Sequence, residues 1–113
     1  MIRLFIMKRL STKEDILQIL KGEMPYLKSK YGVERIAIFG SFAKGNQNSK
    51  SDIDILVQLT KPIGLDFMEL ADYLEEILGR KVDLSTFNQM MRSKENSRYQ
   101  HIALDVERTM IYA

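Results

Sequence analysis

The chain has 113 residues, enough for one compact domain with its own core but too few to add a second domain that grips a large acceptor. With 45% hydrophobic and 28% charged residues, it has the composition of a folded soluble protein rather than of a disordered or fibrous one. The net charge is +2 and cysteine is absent, which excludes disulfides and thiolate metal sites and suits a reducing cytoplasm.

The opening Met1-Ile2-Arg3-Leu4-Phe5-Ile6-Met7 is too short and too interrupted for a signal peptide. Residues 1–10 therefore read as an N-terminal extension, with Met7 an alternative start, and residues 11–113 as the domain. Ser11-Thr12-Lys13-Glu14 has the capping-box pattern, so a helix is expected to start near Thr12. Leu17, Leu20, Met24, Leu27 and Tyr31 continue it at helical spacing. Gly22 and Pro25 fall inside, which predicts a kink or two short helices, and Gly32 suits a left-handed cap.

Val33 to Phe39 reads as a buried strand closed by Gly40. Ser41 to Lys44 reads as one helical turn, and Gly45-Asn46-Gln47-Asn48-Ser49-Lys50 as loop. Ile53, Ile55 and Val57 alternate with Asp52, Asp54 and Leu56 in a second strand. Phe67, Leu70, Ala71, Leu74, Ile77 and Leu78 form the apolar stripe of a helix ended by Gly79. Val82 to Ser85 is a short third strand. A final helix is expected from Lys94 to about Arg108, with Tyr99, Ile102, Ala103, Val106 and Met110 facing inward. Thr109 to Tyr112 can form a last edge strand. The expected architecture is α+β, or α/β-like: one domain with a small mixed sheet flanked by helices. No apolar run approaches the roughly 18 residues of a spanning helix, so no membrane partner is expected.

Charge is unevenly spread. Residues 1–50 carry ten Lys/Arg against four Asp/Glu, residues 51–79 one against seven, and residues 80–113 six against four. Most of these charges read as solvated helix faces.

The chemistry lies in Gly40-Ser41, ten intervening residues, and then Asp52-Ile53-Asp54. On a strand, Asp52 and Asp54 project from one face about 7 Å apart. Two carboxylates among Ile, Leu and Val repel each other and are costly to desolvate unless cations compensate. Oxygen ligands of this kind suit Mg²⁺. Two such ions, about 4 Å apart, stabilise both the attacking and the leaving oxygen of an in-line phosphoryl displacement. An isolated Asp-x-Asp is more often a solvated strand edge, and the upstream element reverses that balance. Gly40-Ser41 stands where a strand turns into a helix start, and backbone N–H groups there attract phosphate. The Ser41 hydroxyl serves as an N-cap, a phosphate donor or both. Lys44 lies on the same side of the turn, as a phosphate contact or a solvated charge. Asp83, central in its own short strand, is a third carboxylate. It completes the metal site or accepts a proton if its strand adjoins the first pair, and otherwise pairs with Arg80 or Lys81.

Gly40-Ser41-Phe42-Ala43-Lys44-Gly45 followed by Ser51-Asp52-Ile53-Asp54-Ile55-Leu56-Val57 resembles the minimal nucleotidyltransferase group of the DNA polymerase beta-like superfamily. The resemblance runs from about Leu10 to the C-terminus. It implies the nucleotidyltransferase fold and magnesium-dependent transfer of an NMP unit, such as AMP from ATP, onto a hydroxyl. By position, Gly40 and Ser41 hold the triphosphate, Asp52 and Asp54 bind metal, and Asp83 is the third acidic residue. Lys44 stands where the family often has Arg, keeping the charge but not the bidentate grip. Many members are antitoxins paired with a HEPN-domain ribonuclease, on which they adenylylate a tyrosine. A HEPN-type toxin is thus the implied partner, and homo-oligomerisation is left open.

Two other readings stand beside this one: a non-catalytic antitoxin acting by complex formation, and transfer to a small-molecule acceptor. His101, the only histidine, lies three positions after Arg98, which does not match the Arg-x4–6-His motif of HEPN ribonucleases. It reads as a helix-surface residue. Arg92, Lys94 and Arg98 come with no recognised nucleic-acid motif, so nucleic acid is not an expected partner. Met90-Met91 is a candidate partner-facing pair.

Overall fold

A computed structural model describes residues 12–45 and 52–113. The expected extension over residues 1–10 and residues 46–50 of the expected loop lie outside the described residues. Helix α1 spans Lys13–Tyr31, strand β1 Val33–Phe39, helix α2 Gly40–Lys44 and strand β2 Ile53–Leu59. Helix α3 covers Asp66–Leu78, strand β3 Val82–Thr86, helix α4 Phe87–Glu95, helix α5 Gln100–Thr109 and strand β4 Ile111–Tyr112.

The strands form one mixed sheet in the order β3-β2-β1-β4. β1 runs antiparallel to both β2 and β4, while β2 and β3 are parallel. Parallel neighbours need a crossover, and α3 supplies it as the helix of a βαβ unit. Alternation along the strands divides the core in two. Ile36, Ile38, Ile53, Ile55 and Val57 point to the side covered by α1 and α3, where Ile16, Leu20, Leu27, Leu70 and Leu74 are fully buried. Ala37 and Leu56 point to the other side, against Phe87, Met90 and Ala103 of α4 and α5. Helices therefore cover both faces of the expected α+β sheet.

Helix α1 begins where expected: the Thr12 hydroxyl accepts the Asp15 N–H at 3.3 Å. Of the expected kink or two short helices at Gly22 and Pro25, the division into two does not occur, and one helix runs to Tyr31. Proline removes the donor to the carbonyl four residues back. Here both Pro25 and Lys21 are exposed, so water can serve that carbonyl. Gly32 ends the helix at φ 71°. The expected single C-terminal helix is instead two. Thr86 opens α4 with a reciprocal capping box to Gln89. Asn96 then accepts the Arg98 N–H with its own side chain, at 2.9 Å, in an Asx turn between α4 and α5. Tyr99 and Ile102 are not in the core as expected but line an open pocket, 46% and 53% exposed, whereas Ala103 is buried as expected. The expected edge strand forms at Ile111–Tyr112 beside β1.

Candidate active site

The site is assembled at one end of the sheet by strand pairing. Asp54 lies one residue inside β2, opposite Phe39 of antiparallel β1 and opposite Asp83 of parallel β3. Strand β3 adjoins β2, and register sets Asp83 opposite Asp54, one member of the expected pair. Asp52 immediately precedes β2 and is exposed, as is Asp83, while Asp54 is half-buried. Loss of hydration, and then the negative charges of Asp83 and Asp52, push the Asp54 carboxyl up to about 6.

Gly40 explains how that carboxylate is accommodated. Its φ is +70°, in the left-handed region, and a Cβ built there would overlap the Asp54 Oδ2. Only glycine meets both demands, since the backbone turns into α2 while the chain passes directly against the carboxylate. Ser41 is the second residue of α2. The cap position belongs to Phe39, which makes no side-chain cap hydrogen bond, so the expected N-cap role of Ser41 is not realised. The first N–H groups of such a turn have no partner within the helix.

Lys44 is engaged by helix α5. Its Nζ contacts the Asp105 Oδ2 of α5 at 2.8 Å, and Arg108 reaches the other Asp105 oxygen at 3.4 Å. The hydrogen bond from Lys44, with the charges of Lys44 and Arg108, holds the Asp105 carboxyl below its usual range. Sequence reasoning did not find Asp105: 61 residues separate it from Lys44, and only the packing of α5 near α2 brings them together.

Between the carboxylate face of the sheet and helices α4 and α5 lies a pocket of about 270 Å³, with Asp83 and Ser85 on its sheet side. The pocket follows from the break before α5, which sequence reasoning did not place. His101 is exposed on α5, as expected. Lys94 pairs with Glu107 at 3.1 Å. Of the Met90-Met91 pair, Met91 is exposed, while Met90 is buried and lines the pocket.

Among the described residues, no three acidic, histidine or cysteine side chains come close enough to enclose a metal ion. The carboxylates form an open rim rather than a cage. The donor set nevertheless fits a hard divalent cation. Asp54 and Asp83 stand opposite each other on neighbouring strands, burial and then the charges of Asp83 and Asp52 disfavour the ionised Asp54, and the neighbouring lysine is engaged by Asp105. A Mg²⁺ ion bound by one or two carboxylates completes its shell with water and substrate phosphate.

Residues 24–106 match the model of the nucleotidyltransferase domain. The chain belongs to the nucleotidyltransferase domain family. Within it, the chain is a minimal nucleotidyltransferase, and family membership implies an NTP substrate and a divalent metal. Protein adenylyltransferase MntA of Thermococcus cleftensis is 39% identical over 102 residues, which cover 89% of this chain and 95% of that one. A solved minimal nucleotidyltransferase superposes with a TM-score of 0.63 at 26% identity, covering 89% of this chain and 95% of that one. A toxin–antitoxin structure with AMP-PNP shares the fold, with a TM-score of 0.58 at 23% identity over 80% of this chain and 69% of that one.

Proposed function

We propose that this minimal nucleotidyltransferase moves AMP from ATP onto a tyrosine hydroxyl of a HEPN-domain toxin, acting as the antitoxin of that pair. The observation that carries the proposal is the register that sets Asp54 beside both Gly40 and Asp83. The named activity of the Thermococcus relative and the toxin–antitoxin nature of a structure with the same fold support the acceptor.

Each residue has a defined task in this reading. Asp52, Asp54 and Asp83 would hold Mg²⁺, two ions in this reading, which would supply charge neutralisation to the phosphoryl transfer. Gly40 lets the triphosphate approach the backbone, where the N–H groups opening α2 and the Ser41 hydroxyl donate to phosphate oxygens. Lys44 exchanges Asp105 for a β- or γ-phosphate oxygen when nucleotide arrives. The exposed ion pair it leaves is weak enough to be replaced by a more highly charged partner. Asp83, on the far side of Asp54 from Gly40, faces the incoming hydroxyl and can take its proton.

The test is to incubate the protein with ATP, Mg²⁺ and a HEPN-domain protein encoded beside it, then measure intact masses. The expected result is a gain of one or more AMP units on the HEPN protein, mapped to tyrosine, and lost with Asp52→Ala or Asp54→Ala. Transfer that survives both substitutions contradicts the assignment of the site.

A further inference from the structure

Resting on the reading above, in which a hydroxyl attacks the α-phosphorus of an NTP, we propose that the pocket between the sheet and helices α4 and α5 is the acceptor site. It receives the ring of an aromatic hydroxyl side chain from a partner protein. In an in-line displacement the attacking and leaving oxygens stand on opposite sides of phosphorus. The order across the sheet fixes which side is which. Gly40 follows Phe39 on the β1 side of Asp54, and Asp83 lies on the β3 side. With the departing pyrophosphate at Gly40-Ser41, the acceptor oxygen comes in over Asp83, and the pocket that Asp83 helps to line is where the rest of the acceptor goes.

Size and chemistry narrow the occupant. A volume of about 270 Å³ falls below the ~300–1,000 Å³ of sites that swallow whole small ligands, and suits a single ring. Leu56, Met90, Ala103 and Val106 give it apolar walls, and the carboxylate stands on the sheet side. A phenol satisfies both, with its ring against apolar surface and its oxygen toward Asp83. A serine or threonine hydroxyl would leave the apolar walls unfilled. A phenol is also the easier nucleophile to deprotonate, with an ordinary pKa of about 10. The pocket is continuous, through Ser85, Gln89, Ser93 and Tyr99, with a shallow polar shelf carrying Arg92 and Asn96. A shelf of that kind gives a polypeptide room to cross while one of its side chains enters the pocket.

The step balances without another reagent. The phenolic oxygen bonds to the α-phosphorus, and the bond from that phosphorus to the oxygen bridging the β-phosphate breaks. Pyrophosphate leaves with the electron pair, and the phenolic proton passes to solvent.

The experiment titrates N-acetyl-tyrosinamide, N-acetyl-serinamide and adenosine separately into ¹⁵N-labelled protein and follows amide shifts. Tyrosinamide is expected to move Ser85, Gln89, Ser93 and Ala103 saturably in the millimolar range, about 1 mM or weaker. Serinamide is expected not to. Ser93→Phe fills the pocket from its helical wall and should abolish the tyrosinamide shifts. Ile102→Arg, at an exposed position of the same wall, should do so with no demand on the core. Both variants should lower AMP transfer to a HEPN partner at least tenfold while the KM for ATP stays unchanged. No pocket shifts with tyrosinamide would overturn the proposal. So would adenosine moving those amides in its place, which would make the pocket a nucleobase site. Tyrosinamide binding in the pocket without any AMP transfer would keep the pocket as a phenol site and retire the reaction instead.

Discussion

The two faces of the sheet are built for different purposes. On the side of α1 and α3, residues such as Ile16, Leu20, Ile38, Ile55 and Leu74 have no exposure and fill the space completely. On the side of α4 and α5 a smaller cluster of Ala37, Leu56, Phe87, Met90 and Ala103 covers the sheet incompletely. There Asp83 and the half-exposed Tyr99 and Ile102 line one open pocket. One face is filled by core side chains, and the other leaves a pocket open. Protein interiors are close-packed, so an unfilled region bordered by Asp83 is where function is to be sought.

The sharpest way to break this comparison is Asp54→Asn. On a purely structural face, the substitution would matter little to any reaction. Here it should lower AMP transfer on the order of 10³-fold or more, as radiolabel from α-phosphate-labelled ATP would show, because several kcal/mol of charge stabilisation depend on that carboxylate. The same substitution should stabilise the metal-free protein. A carboxyl whose folded pKa is raised favours folding only below its unfolded value near 3.8, and that contribution is lost as pH rises to about 6. At pH 8 the Asn variant should therefore be more stable in urea by about 1 kcal/mol. That is discounted from the roughly 3 kcal/mol of the full shift, because Asp54 is only half removed from water. Mg²⁺ affinity of the native protein should fall as pH drops below about 6, since a protonated Asp54 must lose its proton to bind metal.

Gly40→Ala sharpens the comparison from the backbone. The left-handed φ costs about 1–2 kcal/mol for an L-residue, and the new methyl displaces the Asp54 carboxylate. Transfer should drop on the order of 100-fold from that displacement, with a modest loss of stability. Leu20→Ala, on the filled face, should do the reverse. A loss of about 2–5 kcal/mol in urea unfolding is expected, with unchanged turnover per folded molecule. The smallest effect belongs to Asp105→Asn. Freeing Lys44 from its partner should leave melting nearly unaltered and lower the KM for ATP about two- to fivefold, measured by initial rates.

The filled face was legible in the sequence because its residues recur at regular helical and strand periods. The Asp52-x-Asp54 pair and Gly40-Ser41 were legible because they are adjacent to strand ends that composition marks clearly. The meeting of Asp83 with Asp54 was only half legible. A strand, helix and strand from Ile53 to Thr86 point to parallel pairing, but the register that sets the two aspartates opposite each other is a tertiary fact. The Lys44–Asp105 pair was not legible, since nothing in local spacing relates residues on α2 and α5. The break between α4 and α5 was written in Thr86, Gln89 and Asn96. Their capping chemistry outweighs the helical period of the residues that follow, which is why Tyr99 and Ile102 line an open pocket instead of the core.

The most direct test of the central claim compares native protein with Asp54→Asn for AMP incorporation into a HEPN-domain acceptor, using α-phosphate-labelled ATP and Mg²⁺ and a urea melt on each sample. Label on the acceptor with native protein, and its loss in a variant that folds at least as stably, is the result predicted here. Equal labelling by both proteins would contradict it.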